Sequence, residues 1–203
     1  MISAARIGFV SATGVCLVGI VYIAVVAVGV SEAGLSDPIT DPVLAVMEVL
    51  TMLSALLFVL LTGAIYDAAS AEHKIFGILA LMFAAMMAGI TCTVHFVALT
   101  AGRQSGFTLL EWPSTLYAAE LLAWDVLLGL SLIFAALTLN GNRLAVAIRW
   151  ALVVSGALAL IGTLGPITGN MALQRPGILG YGLGLPAAAW MLAIFFRRRA
   201  SCP

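Results

Sequence analysis

Six long runs of apolar residues fill most of the chain, and short polar stretches separate them. A helix needs about 17 to 25 apolar residues to cross the hydrocarbon core of a bilayer, and each run is close to that length. A membrane barrel would instead show alternating segments of about ten residues. We therefore predict an all-α fold, a polytopic integral membrane protein with a six-transmembrane-helix bundle that forms one domain over residues 1–203. The predicted spans are residues 7–30, 43–66, 75–100, 114–139, 144–168 and 177–196.

The composition agrees with a membrane protein and excludes some partners. Hydrophobic residues make up 63% of the chain and charged residues only 9%. The mean hydropathy of +1.17 is far above that of a soluble globular domain. Because the formal net charge is zero, nothing indicates a nucleic-acid partner. Membrane lipids are the predicted surroundings.

Motifs for common cofactors and metals are absent from the chain. It contains no P-loop, GxSxG, HExxH or CxxCH signature, and its three cysteines lack paired spacing. His73 and His95 would lie about 33 Å apart along one helix, too far to ligate a single haem. Lys74, the single lysine, lies at a predicted helix end, which disfavours retinal. We predict no cofactor and no metal.

Positive charges are distributed unequally between the two sets of loops. Cytoplasmic loops are enriched in Lys and Arg, so this asymmetry predicts a plasma-membrane protein with both termini in the cytoplasm. The side predicted to be inside carries Arg6, Lys74, Arg143, Arg149, Arg197, Arg198 and Arg199, whereas the outer side carries Arg103 and Arg175.

Three ionisable residues lie inside predicted spans at a similar depth. Glu48 and Glu120 follow the prolines that begin their spans by six and seven residues, about 9 and 10 Å below the outer helix ends. His95 precedes the outer end of its span by a similar distance, about 9 Å. Ionisable side chains are costly in hydrocarbon and commonly mark a reactive site or a pathway. We predict that Glu48, His95 and Glu120 face one chamber in the outer half of the bundle and are catalytic.

Several polar and aromatic residues are predicted to line the same chamber and bind substrate. Residues three or four positions apart share a helix face, and aromatic rings can hold a cation or another ring. The predicted substrate-binding residues are Thr51, Cys92, Tyr117, Trp124, Thr163 and Tyr181.

The outer halves of the last two spans are rich in glycine and proline. Residues 162–170 read GTLGPITGN, and residues 177–186 read GILGYGLGLP. Broken helices at membrane depth are tolerated where protein or a water-filled cavity satisfies the backbone, which supports the hypothesis of an outward-opening cavity. The alternative is close helix packing, because small residues four apart let helices approach.

Asp125 is a fourth catalytic candidate. It follows Glu120 by five residues, about 140° around a regular helix and about 18 Å below the outer surface, so we expect it to face a different neighbour. Desolvation would favour its neutral form, which can donate a proton. The alternative is a structural ion pair with Arg149.

These features favour a membrane-embedded acid/base enzyme of the isomerase or cyclase type, acting on a hydrophobic, lipid- or terpenoid-like substrate. Glu120 would be the acid, and Glu48 or His95 the base. Trp124 and Tyr181 would shield a cationic intermediate.

Two other classes stay open. A proton-coupled transporter of a small solute would use the same acids, with the glycines and prolines as hinges. A transporter of this size would need to dimerise, so a homo-oligomer is among the expected partners. A non-catalytic subunit of a membrane complex would use the polar residues for packing, which does not explain three ionisable residues at one depth.

Overall fold

Six long helices make up the structure, a computed structural model that describes residues 3–34, 38–105 and 110–200. The prediction of an all-α bundle with six helices long and apolar enough to span a membrane is confirmed, and no strand occurs in these residues. The helices are α1 (Ala4–Ala33), α2 (Val43–Ala68), α3 (Ala71–Gly102), α4 (Thr115–Leu137), α5 (Arg143–Thr168) and α6 (Met171–Ala200).

Side-chain caps and turn glycines fix where the helices begin and end. The hydroxyl of Ser114 accepts a hydrogen bond from the Tyr117 amide at the start of α4, and Asn142 accepts one from the Ala145 amide at the start of α5, as expected at N-caps. Gly169 ends α5 with φ +72, a left-handed conformation that glycine adopts without a steric penalty. The chain therefore turns directly from α5 into α6.

The α6 helix begins six residues before its predicted span, with a 3-10 turn at Met171–Gln174. Hydropathy locates the apolar part of a helix, whereas hydrogen bonding decides where it begins. The polar residues before the apolar run of α6 are therefore helical.

The helices pack in a closed ring in chain order. Each contacts the next, and α6 returns to contact α1. The core contains large apolar side chains from several helices, with many alanines between them that allow close approach. In addition, the Ser131 hydroxyl of α4 donates to the Ala80 carbonyl of α3 at 2.7 Å. Of the six helices, α4 is the most buried.

Three of the helices contain a π-helical segment near one end of the bundle. The segments are Ala98–Gly102 in α3, Leu122–Leu127 in α4 and Gly180–Gly184 in α6. In a π-helix the hydrogen bonds run from residue i to i+5, and such single turns are frequent at functional sites. The angle of about 140° expected between Glu120 and Asp125 assumed a regular helix, so the π-segment changes the direction of Asp125 relative to Glu120. Arg103 directly follows the π-helical segment of α3, so we call this end of the bundle the Arg103 end.

The glycines of α5 and α6 bring the two backbones into contact. A Cβ atom added to Gly162 would lie 2.9 Å from the Gly177 Cα, and one added to Gly180 would lie 2.6 Å from the Ser155 carbonyl oxygen. Distances this short leave no space for a side chain. Close packing therefore accounts for these glycines. This is the alternative that the sequence analysis set against an outward-opening cavity.

Gly180→Ala should lower the free energy of unfolding by about 1–3 kcal/mol, because the added methyl group overpacks the α5 backbone. The matched control is Gly182→Ala in the same helix, where the nearest atom, Ile178 Cγ2, is 3.9 Å from the added Cβ. Thermal unfolding of the detergent-solubilised proteins measures both effects. Equal melting temperatures for the two variants would contradict the close contact.

Candidate functional site

His95 of α3 and Glu120 of α4 form the centre of the candidate site. The His95 Nε2 atom lies 2.9 Å from Glu120 Oε1. The indole N–H of Trp124, one turn further along α4, donates to the same oxygen at 2.6 Å. One carboxyl oxygen thus fixes the positions of both the imidazole and the indole.

The hydrogen bonds of this cluster favour one protonation pattern. An indole N–H only donates, so Glu120 Oε1 is an acceptor towards Trp124, and a carboxylate oxygen can accept a second bond from the His95 Nε2–H. In the neutral imidazole, His95 Nδ1 then carries a lone pair. This atom is buried and has no hydrogen-bond partner within the described residues, and the same holds for Glu120 Oε2. Glu120 therefore orients the imidazole through Nε2, and Nδ1 makes no other hydrogen bond among the described residues.

Tyr181 of α6 contributes a second aromatic ring to the cluster. The ring of Tyr181 packs against that of Trp124 with centroids 5.5 Å apart and a 60° tilt. The Tyr181 hydroxyl accepts a hydrogen bond from Gln174 Nε2 at 2.7 Å, and Gln174 is itself buried. We call His95, Glu120, Trp124 and Tyr181 the His95 cluster.

Arg103, just beyond α3, holds two carboxylates. Its Nε and Nη2 donate to the two Asp41 oxygens at 2.8 and 2.7 Å. Its Nη1 donates to Glu48 Oε2 at 2.7 Å and to the Ala98 carbonyl at 2.9 Å. We call Asp41, Glu48 and Arg103 the Arg103 network. It connects the start of α2 to the end of α3 and pairs a Glu48 side chain that is only 4% exposed.

The electrostatics of the network stabilise its charged form. Hydrogen bonds from Arg103 hold the pKa of Asp41 below its usual range, and the hydrogen bond to Asp41 raises the pKa of Arg103 in return. A carboxyl whose pKa is lowered on folding contributes stability above its unfolded pKa of about 3.9. That contribution is lost as the pH falls through the lowered folded-state value.

Two of the three predicted chamber residues, His95 and Glu120, meet directly. Glu48 instead bonds to Arg103, so we no longer assign it the role of base. Depth alone could not distinguish these outcomes, because a helix rise gives height in the membrane but not the partner that a carboxylate finds.

The predicted substrate-binding residues divide into two groups. Trp124 and Tyr181 belong to the His95 cluster, and Cys92 and Tyr117 lie within electrostatic range of Glu120. The hydroxyls of Thr51 and Thr163 instead bond to carbonyls of their own helices, those of Met47 and Leu160. Because these bonds use their hydroxyl protons, Thr51 and Thr163 are weaker candidates for binding substrate.

Asp125 and Arg149 are not paired, so the alternative of a structural ion pair is wrong. Arg149 Nη1 lies 3.5 Å from Asn140 Oδ1 at the opposite end of the bundle. Asp125 is fully buried, and both its carboxyl oxygens are without a hydrogen-bond partner among the residues that the structure describes.

Sequence reasoning missed three residues of this region. Arg103 was used only to predict orientation, and Asp41 was not among the predicted site residues. Tyr22 of α1 lies beside Thr51 and within electrostatic range of Glu120 and Tyr117. As the only tyrosine in its predicted span, Tyr22 was a signal that could have been followed.

The larger of two described cavities lies away from the His95 cluster. It is an apolar groove of about 390 Å³ between α1 and α2. Its lining residues are Ile20, Val21, Ala24, Val25, Val28, Pro42, Val43 and Val46. The groove contains no group suited to acid/base chemistry.

Comparisons with protein-family models, with curated proteins and with solved structures found no match to this chain. Functional inference therefore depends on the geometry of the side chains. Within the described ranges, no three His, Cys, Asp or Glu residues come together in a group that could hold a metal ion.

Arg103→Gln should lower the free energy of unfolding by about 3 kcal/mol, because it leaves the buried Glu48 carboxylate without its partner. Arg175→Gln is the matched control, since Arg175 is an exposed arginine at the same end of the bundle. Adding Glu48→Gln to Arg103→Gln should recover much of the loss by removing the unpaired charge. Chemical denaturation in detergent measures all three, and equal stability of the two arginine variants would contradict the network.

Proposed function

We propose that the protein is a membrane-embedded acid/base enzyme that moves a proton within a hydrophobic, lipid- or terpenoid-like substrate. The observation that carries the proposal is the buried His95 imidazole, which Glu120 orients through Nε2 and which leaves Nδ1 without a partner in the described residues. A histidine oriented by a carboxylate, with no other hydrogen bond to its second nitrogen, is an arrangement suited to general acid/base catalysis.

In the proposed reaction, His95 exchanges the proton and Glu120 positions it. Nδ1 removes a proton from one carbon of an allylic system, and the imidazolium returns a proton to another carbon. The double bond shifts, and no other reactant is consumed. Glu120 stabilises the imidazolium while it exists, as a carboxylate does in other carboxylate–histidine pairs. This assignment differs from the sequence-based one, in which Glu120 was the acid.

The aromatic residues support a hydrophobic substrate. Trp124 shares the Glu120 oxygen with the imidazole, and Tyr181 packs on Trp124. Aromatic ring faces can stabilise positive charge that develops on a substrate carbon. The cluster also lies inside a bundle whose six helices are apolar enough to span a membrane. A lipophilic molecule can enter such a site from the bilayer without first crossing water.

The distribution of Lys and Arg supports an orientation for this site. We propose a plasma-membrane location with both termini in the cytoplasm, because the positive-inside rule places the arginine-rich helix ends there. The Arg103 end would then face outwards. The substrate would be drawn from the outer leaflet.

The proposal is tested with purified protein reconstituted into a total lipid extract of the cells that express it, in deuterated water. We expect isomerised or deuterium-labelled lipid species, detected by chromatography with mass spectrometry. His95→Asn and Glu120→Gln should each reduce their formation by roughly 100-fold or more, the typical contribution of general acid/base catalysis.

Matched controls come from the opposite end of the bundle. His73 bonds to Ser70 and Asn140 there, and Glu72 is exposed, so His73→Asn and Glu72→Gln should keep full activity. The proposal is wrong if the parent protein changes no lipid. It is also wrong if His95→Asn folds and retains parental activity. A proton current through the parent protein without any lipid product would favour a transporter instead.

A further inference from the structure

Asp125 is a buried acid inside the bundle without a hydrogen-bond partner among the described residues. It lies in the π-helical segment of α4, five residues after Glu120, and none of its surface is exposed. Neither carboxyl oxygen has a hydrogen-bond partner within the described residues. Burying an ionised carboxylate in this way costs several kcal/mol. A proton bound to the carboxyl removes the charge and with it most of this cost.

Glycines of two neighbouring helices form the walls around this carboxyl group. A Cβ added to Gly162 of α5 would lie 3.0 Å from Asp125 Oδ1, and one added to Gly177 of α6 would lie 2.5 Å from the same oxygen. Two glycine faces thus provide the space that the carboxyl fills.

The groups that face Asp125 do not neutralise a negative charge. Tyr117 of α4 and Tyr181 of α6 lie within its electrostatic range, and Gln174 of α6 lies nearby. All three are uncharged polar side chains at neutral pH. From α5, Gly162 lies against the carboxyl group and brings no charge. None of the three ion pairs among the described residues includes Asp125.

We propose that Asp125 is a second proton-binding site, separate from the His95 cluster, in which the side chain is a neutral carboxylic acid held between the glycine faces of α5 and α6. The site binds a proton and needs no cation from another residue. A line of contacts connects its surroundings to the His95 cluster. Gln174 donates to the Tyr181 hydroxyl, the Tyr181 ring packs on Trp124, and Trp124 donates to Glu120.

Infrared spectroscopy tests the protonation state directly. The C=O stretch of a carboxylic acid absorbs above the amide I band, whereas an ionised carboxylate absorbs below it. An ordinary aspartate, with a pKa of about 3.9, is ionised at neutral pH. The difference between the spectra of the parent protein and Asp125→Asn should therefore contain a carboxylic-acid band at neutral pH. The control, Asp67→Asn, removes an exposed aspartate near the opposite end of α2 and should give carboxylate bands only.

A second measurement avoids dependence on the folding of Asp125→Asn. The chain contains four aspartates, Asp37, Asp41, Asp67 and Asp125, and uniform incorporation of carboxyl-13C aspartate should shift the carboxylic-acid band in the unmutated protein. A parent spectrum without a band that responds to the label overturns the proposal. Loss of carboxylate bands in Asp125→Asn also overturns it, because Asp125 is then ionised. Conversion of the acid band to a carboxylate band on adding sodium chloride at constant pH overturns it as well, because the site then binds sodium in place of the proton. Neither spectrum depends on enzymatic activity, so failure here is distinguishable from failure of the acid/base proposal.

Discussion

The low dielectric inside the helix bundle requires a partner for almost every buried ionisable group, and the described residues satisfy this requirement in two adjacent places. Arg103 donates to Asp41, to Glu48 and to a carbonyl at the end of α3. Eight residues earlier in the chain, His95 bonds to Glu120. A charge left alone in such surroundings costs several kcal/mol, so these contacts determine how α2, α3 and α4 meet at the Arg103 end. The end of α3, with its π-helical segment, takes part in both.

The Arg103 network and the His95 cluster differ in how many of their polar atoms lack a hydrogen-bond partner. In the Arg103 network, the guanidinium donates to both Asp41 oxygens, to one Glu48 oxygen and to a carbonyl. Such an arrangement stabilises the structure, and its hydrogen-bonding groups are occupied by one another. In the His95 cluster, one imidazole nitrogen and one carboxyl oxygen are buried without partners among the described residues. Natural structures contain few such atoms, and a catalytic role is one of the explanations for them. This difference is the reason to separate a structural role for Glu48 from the reactive role proposed for His95.

The glycines of α5 and α6 connect backbone packing to the chemistry of buried acids. The contacts of Gly162 with Gly177 and of Gly180 with Ser155 bring the helices close. The same close approach encloses Asp125, because a larger side chain at Gly162 or Gly177 would occupy the volume of the carboxyl group. Close packing and the placement of a buried acid are therefore two results of one sequence pattern.

The sequence by itself determined the number, order and approximate extent of the six helices, because apolar length is a local property that hydropathy measures. It also determined that Trp124 would accompany Glu120, since residues four apart share a helix face. Only the tertiary structure decided which partner each ionisable group bonds to. Glu48 and Glu120 have nearly the same depth and helix position, yet one meets Arg103 and the other His95. That choice depends on helix rotation, on the π-helical segments and on the path of the chain after α3. Each of these follows from packing between distant residues, and no local pattern encodes it.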